Sequence, residues 1–161
     1  MRYLIVFFAL GLTLFAACKK EEPQPIDEVA QLEIDLEKID NYIVEHGLVD
    51  DTLHHPTKIR YIILQEGSGL KPRYDEDSIE VAYVGTLLDT GEQFDANDAF
   101  RTRLDQNLIL GWQIMLQEMR EGDRYQIFLP SFFGYADEGS PPKIPANAVL
   151  IFDIELKRVY K

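Results

Sequence analysis

Ile79-Glu80-Val81-Ala82-Tyr83-Val84-Gly85-Thr86-Leu87 is followed by Leu88-Asp89-Thr90-Gly91-Glu92 and then Gln93-Phe94-Asp95, and this stretch decides the fold. Ile79, Val81, Tyr83 and, after Gly85, Leu87 alternate with residues of the other face, the period of a strand buried on one side. Asp89-Thr90-Gly91 is a tight-turn sequence, so the chain is expected to return along Gln93-Phe94-Asp95 as a hairpin.

Working outward, Ile59 to Leu64 is β-branched and aromatic and reads as a preceding strand. After the hairpin, Trp112, Met115, Leu116 and Met119 have helical spacing between Gly111 and Gly122, which predicts one short helix. Tyr125 to Leu129 and Ala148 to Val159 are two further strands. Between them Pro130 to Asn147 forms a long loop rich in Gly, Pro and aromatic residues, and loops of that length inside a small domain usually carry function.

The chain has 161 residues, 46% hydrophobic and 27% charged, enough for one principal core. Its formal net charge is −12, which gives phosphate backbones no long-range attraction and excludes nucleic-acid binding. A single cysteine, Cys18, can build neither an internal disulfide nor a thiolate-rich zinc site. Arg2 followed by the uncharged run Tyr3 to Ala17 reads as a signal peptide over residues 1–17, too short to span a membrane before Cys18-Lys19-Lys20 interrupts it. Residues 18–58 are more acidic than the remainder, residues 59–161, and read as a tether ahead of the domain. Within them a helix is expected over about 26–46, with Asp27 as its cap. Its stripe of Val29, Leu32, Leu36, Ile39 and Ile43 is expected to pack on the chain's own domain, with a weak dimer through the 26–46 helix as the lesser use of the same stripe. His46, His54 and His55 lack the spacing that presets metal geometry and read as solvated loop residues, as do the acids Asp75-Glu76-Asp77 and Asp137-Glu138.

In this order the chain resembles the FKBP-type peptidyl-prolyl cis-trans isomerases over residues 59–161. The resemblance rests on Val81 to Leu87, Thr90-Gly91-Glu92-Gln93-Phe94-Asp95, Leu108-Ile109-Leu110-Gly111-Trp112 and Met119-Arg120-Glu121-Gly122-Asp123. It continues through Leu129-Pro130-Ser131, Gly134-Tyr135, Ile144-Pro145 and Leu150 to Leu156. It implies an α+β fold in which a curved antiparallel β-sheet wraps one short α-helix, here preceded by an N-terminal helical tether. It also implies a pocket with walls and floor from Tyr83, Phe94, Phe100, Leu108, Ile109, Trp112 and Phe152, with Trp112 beneath the substrate proline. Asp95 and Tyr135 would be the polar groups at the rim, and the N–H of Ile144 would donate to a substrate carbonyl. Taken singly these aromatics are ordinary core residues; their joint match to one family gives them a site.

The implied activity is isomerisation of Xaa-Pro bonds in proline-containing polypeptides, assisting the folding of envelope or exported proteins, with no cofactor and no metal. A Pro-segment-binding chaperone or assembly module with little catalysis is the alternative use of the pocket. Ala136 stands where the family usually has Gly after the loop tyrosine, which would restrict the backbone if that position needs φ > 0. Lys143 occupies a rim position that the family often leaves apolar, and is expected to favour an acidic residue before the substrate proline. Phe15-Ala16-Ala17-Cys18 resembles a bacterial lipobox, implying lipidation of Cys18 and a lipid-anchored protein of the bacterial cell envelope, at the outer membrane.

Overall fold

Asp89-Thr90-Gly91 turns the chain back as expected: Gly91 takes φ 69°, a left-handed conformation that glycine adopts freely, and the Leu87 N–H donates to the Glu92 carbonyl at 2.9 Å. The computed structural model describes residues 28–161. Along them run α1 (Glu28–Glu45), β1 (Leu53–His54), β2 (Arg60–Gln65), β3 (Ser78–Leu87), β4 (Gln93–Arg103), α2 (Leu110–Glu118), β5 (Arg124–Leu129), a 3-10 turn (Ser131–Phe133) and β6 (Leu150–Tyr160). The six strands form one antiparallel sheet in the order β1-β2-β5-β6-β3-β4. This is the expected α+β architecture, a curved, unclosed sheet around one short helix with another helix ahead of it. The signal-peptide reading of residues 1–17, the lipidation of Cys18 and the expected helix start at residue 26 lie outside the described residues. No helix among the described residues is long and apolar enough to cross a membrane.

The side-chain period of a strand decides which face meets which helix. Ile127 and Leu129 of β5, with Leu150, Phe152, Ile154 and Leu156 of β6, point to one face. There Trp112, Met115 and Leu116 of α2 bury against them. Phe128 and Ile151 point to the other face, where Ile39 and Ile43 of α1 close over them together with Ile62 and Val149. Each fully buried side chain of this size is worth about 1.5–3 kcal/mol relative to exposure. Val149-Leu150-Ile151-Phe152 is apolar without a break because both of its faces are covered. Asp153-Ile154-Glu155-Leu156 alternates because one is not.

The chain from Glu28 on is therefore packed rather than extended, and the lower part of the α1 stripe is spent on the protein's own sheet. Ile39 and Ile43 are buried there, Leu32 and Leu36 are half-buried, and Val29 is exposed. Polar clasps fix the helix in register. Arg60, itself buried, grips Asp40 through Nε and a terminal nitrogen at 3.1 and 3.3 Å, and Lys38 reaches Asp89 at 2.8 Å. Asp35, fully buried, bonds to Ser131. The histidines lie apart in role: His46 stacks on Tyr42 with ring centroids 3.8 Å apart, His54 pairs in β1, and the Nδ1 of His55 bonds to the hydroxyl of Thr57.

Candidate active site

The mouth of the sheet on the α2 side holds a cavity of about 290 Å³, lined by Tyr83, Phe94, Asp95, Phe100, Asn107, Leu108, Ile109, Trp112, Tyr135 and Phe152. All seven expected wall residues are brought together there, with two of the three expected polar positions. They come from several elements. Tyr83 is central in β3, Phe94 and Phe100 sit in β4, and Phe152 belongs to β6. Trp112 is in the first turn of α2. Leu108 and Ile109 lie just before it, on a loop where the Asp105 side chain accepts from the Asn107 N–H at 2.9 Å.

The rings meet edge to face rather than stacking. Trp112 lies 4.9 Å from Tyr83 at 83°, and 5.4 Å from Phe152 at 75°. Phe94 meets Phe152 at 5.6 Å and 85°, and Phe100 stands 6.3 Å from Trp112. Such pairs fix ring orientation and add about 0.5–1.5 kcal/mol each beyond burial. Gly85 makes the Phe94–Phe152 pair possible, since a Cβ there would lie 2.5 Å from the Phe94 ring and 2.9 Å from Phe152. The indole nitrogen of Trp112 is the one buried side-chain polar atom among the described residues without a hydrogen-bond partner.

Phe94 and Asp95 are adjacent in sequence, and regular pleating would send them to opposite faces. A β-bulge resolves this. Gly85 pairs with Asp95 but Thr86 with Gln93, so β4 carries an extra residue at Phe94 and both side chains line the cavity. Asp95 then accepts a hydrogen bond of 2.6 Å from the Tyr83 hydroxyl. Burial, and after it the bond to Asp95, drives the Tyr83 phenol far above its ordinary value. Tyr135 is pushed upward as well, by burial first and then by the Asp95 charge. Both phenols stay protonated donors across the physiological range, beside one carboxylate acceptor.

Ile144 requires a correction. Its N–H donates to the Ser140 carbonyl at 3.0 Å, closing a small bridge within the long loop, so it is not free to meet a substrate. Its side chain is instead buried in a hollow of about 240 Å³ that adjoins the cavity across Asp95 and Tyr135. The N–H of Ile109, at the N-terminus of α2, finds no acceptor among the described residues, and neither does that of Tyr135. Lys143 is also differently employed: its ammonium donates to the Phe94 carbonyl at 2.7 Å, strapping the loop to β4 rather than reaching for a substrate side chain. Ala136 does adopt positive φ, 47°, the condition under which the replacement of Gly matters.

Three residues that shape the site escaped the sequence reading. Asn107 follows directly from the Asx-turn pattern Asp105-Gln106-Asn107. The pairing of Asp35 with Ser131 had no such signal, the two being brought together from positions 96 residues apart.

This sheet, helix and aromatic pocket define the class. The family model described as FKBP-type peptidyl-prolyl cis-trans isomerase matches residues 71–157, more than half of the chain, and the chain belongs to that family. Among relatives, an FKBP-type peptidyl-prolyl cis-trans isomerase (FkpA) of Aeromonas hydrophila is 32% identical over 146 residues, covering 84% of this chain and 53% of that protein. The chain thus spans about half the length of that relative. FK506-binding protein 1 of Debaryomyces hansenii is 33% identical over 109 residues, 65% of this chain and 96% of the relative. Among solved structures, a peptidyl-prolyl cis-trans isomerase of Pseudomonas syringae superposes with a TM-score of 0.70 at 28% identity, covering 86% of this chain and 99% of that one.

Proposed function

We propose that this pocket isomerises Xaa-Pro bonds in polypeptide substrates, and that the chain works in a bacterial envelope, held to a membrane by lipid on Cys18. The observation that carries the catalytic reading is the closed set of edge-on rings around about 290 Å³, with Asp95, Tyr135 and the Ile109 N–H at its polar side.

Rotation about an Xaa-Pro bond faces a barrier of about 18–20 kcal/mol because amide resonance is lost as the bond twists; no covalent step is needed to lower it. The twisted amide is less dipolar than the planar one. Transfer from water into an apolar box therefore disfavours the ground state more than the transition state. Directed hydrogen bonds hold the chain on either side of the proline while the bond turns. In this pocket the proline ring sits over Trp112. The Ile109 N–H, aided by the positive end of α2, donates to a substrate carbonyl. The Tyr135 hydroxyl donates to another, and Asp95 fixes Tyr83 and the charge at the rim. Folding steps that otherwise take tens of seconds are the natural beneficiaries.

The test is cis-to-trans relaxation of Xaa-Pro peptides with detergent-solubilised full chain. Acceleration is expected, with kcat/KM falling about tenfold in Asp95→Ala and in Tyr135→Phe, the loss of roughly one directed hydrogen bond. A folded wild type that leaves the relaxation rate unchanged overturns the catalytic reading. For the anchor, incorporation of labelled palmitate should vanish in Cys18→Ser; label retained in that variant refutes lipidation at Cys18.

A further inference from the structure

We propose that Asp35, on a helix ahead of residues 71–157 that the family model matches, is a positioning residue for Tyr135. It acts as a buried strut that fixes the loop carrying this hydroxyl; the proposal rests on the isomerase reading of the pocket. Asp35 is fully buried and lines no part of the aromatic cavity. Its Oδ2 accepts from both the backbone N–H and the hydroxyl of Ser131, at 2.7 and 2.5 Å, and its Oδ1 accepts from Gln31 at 2.8 Å. Ser131 opens the long loop immediately after Pro130, and its N–H begins a 3-10 turn, where no backbone acceptor is available.

The far side of Ser131 holds Tyr135. Its carbonyl accepts from the N–H of Gly134 and from that of Ala136, both at 2.9 Å, so the residues on either side of Tyr135 hang from one oxygen. Ala136 is kept at φ 47°, and its own carbonyl accepts from Asn147 at 2.7 Å on the returning limb of the loop. All the polar groups of Ser131 are thus used, two toward α1 and one toward the active-site loop. Position 35 adjoins the apolar stripe of α1 at Leu32, Leu36 and Ile39, where leucine would dock the helix without the cost of burying a carboxylate. Helix docking alone does not call for an acid there. A loop turn with a buried N–H and hydroxyl does.

The experiment compares Asp35→Ala, Asp35→Asn and Ser131→Ala with Ile43→Ala. The last loosens α1 on the sheet without touching Ser131, and all are assayed where each is fully folded. Asp35→Ala should lower kcat/KM about tenfold, mainly in kcat, since misplacing a directing group costs transition-state stabilisation. Asp35→Asn, which keeps one acceptor oxygen, should recover part of the loss, and Ile43→Ala should lose less than twofold. In a Tyr135→Phe background Asp35→Ala should add less than twofold, because the strut acts through the hydroxyl already removed. Independently of activity, the ring resonances of Tyr135, assigned by their disappearance in Tyr135→Phe, should move in Asp35→Ala and stay in Ile43→Ala. Equal losses in Asp35→Ala and Ile43→Ala, or an undiminished loss in the Tyr135→Phe background, would overturn the strut. If the wild type does not accelerate isomerisation, the pocket reading fails. The resonances then decide the strut alone: unmoved Tyr135 signals in Asp35→Ala refute it.

Discussion

The face of the sheet that α2 covers is apolar along its whole length, from Ile59 through Ile79, Ile127 and Ile154 to Val159. The face that α1 covers is apolar only over Ile62, Phe128, Val149 and Ile151. Beyond them it turns ionic, with Arg124 paired to Asp153 at 2.7 Å and Lys157 to Glu155 at 2.9 Å. The difference separates two jobs. A continuous apolar face supplies the cooperative core and, at its open end, the aromatic cavity. The patchy face holds α1 by two buried isoleucines and by polar clasps at Asp35, Lys38 and Asp40, which set where the helix sits more than how stable the domain is.

The comparison breaks most sharply at one isoleucine from each side, both fully buried. Ile154→Ala opens a cavity at the centre of the continuous core and should cost about 4 kcal/mol, as a single shifted urea transition for the whole chain. Ile39→Ala should cost about 2–3 kcal/mol, because α1 is free to settle toward the gap. Hydrogen exchange should show its amides opening ahead of β5 and β6. If α1 and the core strands open together in both variants, the two faces form one cooperative unit rather than two.

A second contrast is chemical. The phenols with raised values, Tyr83, Tyr125 and Tyr135, all belong to the α2 side. Tyr125 is pushed up to about 12, by burial first and then by Asp123. The sign follows from linkage. Folding favours the neutral phenol, so the contribution to stability is complete below the unfolded value near 10 and is lost as pH rises from there toward about 12. Urea midpoints measured from pH 9 to 12 should therefore fall, and Tyr125→Phe should flatten the fall. An unchanged slope in that variant would place the alkaline sensitivity elsewhere.

Sequence reasoning reached the parts of this molecule that repeat at short range. The turn at Asp89-Thr90-Gly91, the spacing of Trp112, Met115, Leu116 and Met119, and the alternation of β3 are all local patterns, and the elements formed where they were expected. The unbroken run Val149 to Phe152 even carried a clue to where α1 lands, since only a strand covered on both faces reads that way. Beyond Asp95 the pattern failed. Gln93 to Arg103 is one continuous strand, yet only Phe94 and Phe100 among its large residues are apolar. It is held by its ladder to β3, in which two bulges spoil the alternation. The rim was partly misjudged for the same physical reason: whether the Ile144 N–H or the Lys143 ammonium is free depends on a partner across the loop, Ser140 or Phe94, that no residue spacing announces.

The smallest expected effect lies where the two faces meet, at Ala136. Its amide hangs from Ser131 on the α1 side while the preceding residue, Tyr135, lines the α2-side cavity. At φ 47° an L-residue is disfavoured by roughly 1–2 kcal/mol, which glycine escapes, but glycine also gives the unfolded chain about 0.4–1 kcal/mol of extra freedom. The gain from Ala136→Gly should therefore be about 0.5–1 kcal/mol, a rise in Tm of about 2 °C. Activity separates two accounts of the same number. If the Ser131 and Asn147 bonds alone hold the loop, kcat/KM should be unchanged, because glycine keeps both. If the alanine Cβ also limits the loop, glycine should stabilise the fold while lowering kcat. The hydrogen bonds would then orient Tyr135 only in company with a backbone that has few other conformations open to it.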